Sequence, residues 1–208
     1  MPDRGQPQEA VSKVGSSIDR ARCWRRGRPA WPAAYRQRVP QRVTILTTTR
    51  LVLTTWTRAD APELHQVHSD PETMRYVRSG RPETLDETES LIDSYMREQS
   101  ERGWTKWRLA DLQGRIVGRA GFGPHGDGRE LGYTIRRDMW GKGMATEIAS
   151  ALVDRHRADA VKNEASYLRA YVAVANAPSS RVLEKVGLAC VGTLDHDGTP
   201  CYLYRLPE

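Results

Sequence analysis

The chain lacks the marks of a membrane, secreted or metal-dependent protein. No apolar run comes near the roughly 20 residues that span a bilayer. Its first residues hold no apolar stretch of the kind that directs secretion. Cysteine is scarce and unevenly placed, at Cys23, Cys190 and Cys201, so neither a disulfide framework nor a zinc site is signalled. Reduced thiols in a cytoplasmic protein are the expectation. His65 and His68 lie one helical turn apart with no third ligand in view, so a solvated helix face is expected and no metal. What is present, 208 residues with 28% charged and 38% hydrophobic, suits one domain with room for a core.

Charge is divided unevenly. Residues 1–42 hold ten Lys and Arg against three Asp and Glu, a net +7, while the remainder is nearly neutral at −1. This gives two regions: a basic, disordered leader, 1–42, and a folded domain, 43–208. Arg20 to Arg28, with Trp24 and Trp31, has the makings of a nucleic-acid or anionic-surface contact. A solvated tail is favoured, because no base-reading element accompanies the cluster. Translation starting at Val43, from an alternative bacterial start codon, is a further expectation that an intact mass would test.

Within the domain, Thr49 to Leu53 alternates as a strand. Asp60, with Glu63 three residues on, caps a helix from Ala61 to about His68. Asp70-Pro71-Glu72 opens a short helical turn carrying Met74 and Tyr76. Residues 84–102 place Leu85, Thr88, Leu91, Ile92 and Tyr95 on one helical face. Strands around 107–110 and 115–122 form a hairpin over Asp111 to Gly114. Residues 124–129 then turn into a third antiparallel strand at Glu130, with His125 expected to be exposed in that turn. A strand over 166–174 should lie beside 131–135. A last hairpin, 190–195 with 201–206, turns at Asp197-Gly198, where His196 reads as a turn residue.

The stretch from Glu130 to Arg157 carries the strongest signal. Leu131, Tyr133 and Ile135 alternate with Gly132 and Thr134, which is strand patterning. Ala145, Ile148, Ala149, Leu152, Val153 and His156 recur at helical spacing. Between them lies Trp140-Gly141-Lys142-Gly143-Met144-Ala145. A strand, a glycine turn and a helix start leave free N–H groups and a positive dipole end at one place, which suits a phosphate. A Walker loop is excluded because the lysine stands between the glycines, and a dinucleotide fingerprint because its third glycine is missing. An ordinary turn before a helix is the plain alternative.

A second motif follows at Asn176-Ala-Pro-Ser179-Ser-Arg-Val-Leu183-Glu-Lys185-Val-Gly187-Leu188. Pro178 suits a first helical turn, and Gly187 its end. Trp140-x-x-Gly143-x-Ala145 resembles the pyrophosphate loop of GNAT N-acetyltransferases, with Trp in place of Gln or Arg. Gly141 to Glu147 is similar to the form common in the branch that acetylates ribosomal-protein N-termini. The Asn176 motif resembles the later element of the same family, with Leu188 in place of Phe, and Thr49-Arg50-Leu51 resembles its opening strand. The resemblance covers about 47–206.

That resemblance implies an α/β (α+β) GNAT fold, with a mostly antiparallel mixed sheet splayed around the acetyl-CoA site and flanking helices. It implies an enzyme that passes acetyl from acetyl-CoA to a primary amine by direct attack in a ternary complex. No acyl-enzyme is expected, since no Cys lies in either motif. Gly141, Lys142, Gly143, Met144, Ala145 and Thr146, with Trp140, would hold the pyrophosphate. Ile135, Arg136 and Arg137 would border the pantetheine arm, and Asn176 would contact it. An N–H near Ile135 would polarise the carbonyl. Glu130 is the candidate base, and a strand-end carboxylate its plain reading. The tyrosine that many members use as an acid is replaced by Leu183, which leaves Ser179 as the matching donor or simply a first-turn residue. The acceptor is a protein N-terminus or a small-molecule amine such as an antibiotic or polyamine. A non-catalytic acyl-CoA-binding module is the other class of reading. Neither a membrane nor a nucleic acid is an expected partner, and a monomer or homodimer is.

Overall fold

A computed structural model describes residues 42–126, 128–161, 167–196 and 198–207. The basic leader, apart from Arg42, lies outside the described residues, as does Asp197 of the expected final turn. The strands are β1 (Thr44–Thr47), β2 (Leu51–Thr54), β3 (Lys106–Asp111), β4 (Ile116–His125), β5 (Gly128–Ile135), β6 (Leu168–Ala173), β7 (Ala189–His196) and β8 (Thr199–Arg205). The helices are α1 (Ala61–His68), α2 (Pro71–Met74), α3 (Leu85–Arg102), α4 (Met144–Val161) and α5 (Ala177–Lys185).

The strands form one sheet in the order β1-β2-β3-β4-β5-β6-β8-β7. Every pairing is antiparallel except β5 with β6. The mostly antiparallel mixed sheet expected from the resemblance is therefore present. One face carries the larger core, where Trp107, Leu109, Phe122 and Leu131 meet Ile148, Leu152 and Val153 of α4. The other face is covered by α1 and α3, through Leu64, Val67, Ile92 and Tyr95 with Trp56. Burial of such side chains stabilises the fold by about 1.5–3 kcal/mol each.

Local chemistry fixes the helix ends. Thr84 and Glu87 exchange hydrogen bonds at the start of α3, with Thr84 Oγ1 accepting from the Glu87 N–H at 3.2 Å and Glu87 accepting from the Thr84 N–H at 2.8 Å. Such a box satisfies two donors that the helix cannot. Asn176 caps α5, accepting from the Ser179 N–H. The Arg42 guanidinium grips Asp60 in a two-pronged ion pair, which Arg108 joins at 3.2 Å.

The feature that makes a site is at the centre of the sheet. β5 and β6 pair only at Arg129↔Leu168 and Glu130↔Arg169, and then diverge. The Arg129 N–H donates to the Tyr167 carbonyl, so it faces β6. Alternation along a strand turns the N–H groups of Leu131, Tyr133 and Ile135 the same way: the first closes the last rung with Arg169, and those of Tyr133 and Ile135 face the gap.

Two expectations fail here. His68 does not sit on a solvated face: it is fully buried, and its Nδ1 lies 2.8 Å from Glu83 Oε2. The 84–102 helix and the loop before it close over α1, which sequence periodicity within α1 does not reveal. His125 is not exposed in a turn but ends β4, half-buried against Tyr171 and Arg169. The strand simply runs longer than the proline at 124 suggests.

Candidate functional site

The divergence of β5 and β6 opens into a cavity of about 810 Å³. Residues 130–134 form one wall, 170–173 with Asn176, Ser179 and Leu183 another, and the segment 75–83 a third. In that last segment Arg78 holds φ 53, alone among described non-glycine residues in having a positive φ. A left-handed backbone costs a non-glycine residue roughly 1–2 kcal/mol, so this loop is held by its contacts. Arg78 itself lies 3.4 Å from Glu83.

At the end of the gap, Gly141 (φ 72) and Gly143 (φ 76) shape the turn into α4. The backbone N–H groups of Gly141 to Thr146 bond to no acceptor among the described residues. This is an anion cradle made of backbone. Trp140 is 48% exposed, and its indole N–H donates to the Ile135 carbonyl at 2.7 Å. It pins the loop to β5 and so occupies one of the groups facing the gap. Lys142 is exposed, with its carbonyl accepting from Arg50 at 2.8 Å.

Arg50 is a residue whose role the sequence did not disclose. Its guanidinium reaches Glu147 at 2.6 Å, and Glu147 also accepts from Thr48 Oγ1 at 2.6 Å. Burial alone would raise the Glu147 carboxyl, but Thr48 and Arg50 hold it below its ordinary value. A clamp from the β1–β2 turn thus fixes the first turn of α4. Thr48 to Arg50 was visible only as an opening motif, without the partner 97 positions away.

The predicted residues are not all brought together. Glu130, Asn176 and Ser179 line the cavity, whereas Ile135, Trp140 and the 141–146 loop, which follow β5 in the chain, are not among its lining residues. Arg136 turns away: its N–H donates to the Val117 carbonyl and its guanidinium engages Asp138 and the Ile116 carbonyl. Arg136 and Arg137 border a separate hollow with Asp70 and Thr73. Ser179 sits in the first turn of α5, and Asn176, not Ser179, is the cap.

Glu130 has a partner on β3: Lys106 Nζ lies 3.1 Å from its Oε1. Gly123 and Gly132 make this possible, since a Cβ at Gly132 would stand 2.6 Å from Lys106 Cε. Burial pulls the Lys106 amine below its usual range, opposed by the charge of Glu130. Across the gap, the Tyr133 hydroxyl reaches the Ser179 carbonyl at 3.5 Å, and burial pushes that phenol up to about 12. Sequence reading took Tyr133 as a core position of an alternating strand; only the missing β6 neighbour exposes it to the cavity.

A free-donor loop at a helix start, diverging strands and a carboxylate at the cleft make a place suited to an anionic ligand with an extended arm. Residues 50–189 match the family model described as "Acetyltransferase (GNAT) domain". The chain belongs to the GNAT acetyltransferase family. The protein "Uncharacterized N-acetyltransferase YoaA" of Bacillus subtilis (strain 168) is 28% identical over 164 residues, covering 75% of this chain and 91% of that protein. A solved acetyltransferase from Agrobacterium tumefaciens str. C58 matches with a TM-score of 0.65 and 27% identity, over 80% of this chain and 95% of that one. RimL, titled "Ribosomal L7/L12 alpha-N-protein acetyltransferase in complex with Coenzyme A", matches with a TM-score of 0.67 over 78% of this chain and 97% of its own. At 17% identity that likeness is one of fold.

Proposed function

We propose that the cavity is an acetyl-transfer site, with acetyl-CoA along β5 and on the Trp140–Thr146 loop, and a primary amine entering past residues 75–83. The observation that carries this is two sets of unbonded donors. The N–H groups of Gly141 to Thr146 fit a pyrophosphate, and those of Tyr133 and Ile135, beyond the last β5–β6 rung, fit an amide-bearing arm laid where a strand would pair. Acetyl-CoA, when bound, supplies a thioester carbonyl open to attack by the amine. The Tyr133 and Ile135 N–H groups stand ready to hold the carbonyl oxygen as charge develops on it.

Glu130 takes the proton of the incoming amine, directly or across one water. Lys106 occupies Oε1 of that carboxylate, and Oε2 bonds to no described residue. Ser179 on the opposite wall and Tyr133 further along β5 hold hydroxyl protons for the departing sulfur. The raised value of Tyr133 keeps its proton in place across neutral pH. Asn176, with its oxygen committed to the α5 cap, has its amide N–H groups left for the arm. The RimL title names both coenzyme A and an alpha-amino acceptor, which supports the same pair of ligand classes here.

Release of free CoA thiol from acetyl-CoA, with and without N-terminal peptides, aminoglycosides and polyamines, tests the reading. Release that depends on one acceptor class supports it. Binding of acetyl-CoA with no acceptor-dependent release would leave an acyl-CoA-binding module, and no binding would refute the role of the loop.

A further inference from the structure

The cavity holds a buried cation that makes no salt bridge among the described residues. Five Lys and Arg side chains line it, at 75, 78, 81, 106 and 119, against Glu83, Glu87 and Glu130. Each of those carboxylates is already engaged: Glu130 by Lys106, Glu83 by His68 and Arg78, Glu87 by Arg81 at 2.5 Å. Arg119 is different. It is only 5% exposed, yet it has no ion-pair partner among the described residues. Its one hydrogen bond runs from Nη1 to the Tyr95 hydroxyl at 2.7 Å, and its Nε has no acceptor.

Directly opposite Arg119 in the β4–β5 register stands Thr134, 4% exposed and lining the same cavity. Residues directly opposed in an antiparallel pair share a face. The Thr134 Oγ1 also lacks a partner. Two adjacent buried groups, a guanidinium N–H and a hydroxyl, are therefore left without an acceptor on the wall of the cleft. Buried polar groups are normally bonded, and a buried charge is normally paired.

We propose that the amine acceptor carries an anionic oxygen group, and that Arg119 and Thr134 bind it while the amine is presented to Glu130. The inference rests on the acetyl-transfer reading of this cleft and narrows its substrate class. An aminoglycoside or polyamine would bring further positive charge into a lining where five Lys and Arg side chains already outnumber three carboxylates. A carboxylate or phosphate near the amine supplies the missing acceptor, and Arg119 is built for it, since its fork binds two oxygens at once.

Matched acceptors test this: L-glutamate against L-glutamine, peptides with Glu or Gln as second residue, phosphoethanolamine against ethanolamine, and spermidine. The charged member of at least one pair should show about tenfold higher kcat/KM or more, mainly through KM. Which pair responds tells carboxylate from phosphate. Arg119→Gln should bring that ratio to within about twofold while leaving the Kd of acetyl-CoA unchanged, and Thr134→Val should lower it by a smaller factor. Preference for the neutral members or for spermidine, or a ratio indifferent to Arg119→Gln, would overturn the proposal. If no acceptor of either charge drives thiol release, the acetyl-transfer reading is what fails. The anion site is then decided by thermal shift: L-glutamate or phosphoethanolamine should raise the Tm of the wild type and not of Arg119→Gln. No rise in the wild type would refute it. Should Arg119→Gln not fold, Arg119→Lys and Thr134→Val carry both measurements.

Discussion

The two ends of the cleft are built on opposite principles. The loop end uses backbone: exposed N–H groups, two left-handed glycines and a helix start, with no side chain required to bind. The cavity end uses side chains from several strands and helices and from the 75–83 segment, whose charges are mostly set against one another. The first kind of site tolerates change in side-chain identity but not in backbone conformation. The second tolerates little change in charge, because every group there but Arg119 is set against a partner of opposite charge.

The sharpest way to break this contrast is at Glu130. Glu130→Gln should lower kcat by about 100-fold near neutral pH, the lower range for losing an acid–base group, with the Kd of acetyl-CoA within about twofold. Steady-state thiol release and calorimetry read the two quantities. A change in Kd equal to the change in kcat would make Glu130 part of the binding end instead. Gly143→Ala is the reciprocal test. Its φ of 76 costs a side-chain-bearing residue roughly 1–2 kcal/mol, so acetyl-CoA should bind about tenfold more weakly with kcat at saturation little altered.

Arg50→Ala sharpens the same point more gently. It removes the clamp on Glu147 and the Lys142 carbonyl without touching the loop's donors, so the Kd of acetyl-CoA should rise by about three- to fivefold. An unchanged Kd would show that the glycine turn keeps its shape unaided. The smallest effect concerns His68. Burial lowers its imidazole below the ordinary 6.5, with the Glu83 hydrogen bond opposing. As pH falls through 6.5 the unfolded chain takes up a proton that the folded chain refuses, so stability falls until the folded value is reached. Glu83, lowered by His68 and the nearby Arg78 and Arg119 despite its burial, extends the loss further into acid. The wild-type Tm should therefore drop by about 2–4 °C more between pH 7 and 5 than that of His68→Gln, whatever the variant's absolute stability.

Legibility in sequence follows the same division. Trp140 to Thr146 could be read because glycine spacing, strand alternation and helix periodicity are local, whereas the cap expected at Asp60 is not made: its carboxylate goes to Arg42, Arg108 and the Thr57 N–H. Lys106 beside Glu130, Arg119 beside Thr134 and Arg50 beside Glu147 could not, because each pair is made by strand register or by a turn meeting a distant helix. His68 misled for that reason: its own helix shows only spacing, while its burial is decided by a loop beyond it. Tyr133 was legible as a strand residue but not as a cavity residue, since nothing near it announces that β6 veers off.

That divergence has a mechanical side. Five strands on one flank and three on the other are joined by two rungs, at Arg129 and Glu130, where neighbouring strands elsewhere share up to eight. Two rungs form a hinge more than a seam. The opening angle between the flanks is thus the softest coordinate of the sheet, and amide exchange should be fastest at Tyr133 and Ile135 among central-strand positions. Glu130 sits on that hinge while Ser179 rides on the far flank, so a ligand wedged between the flanks sets the spacing of the very groups that would act on it.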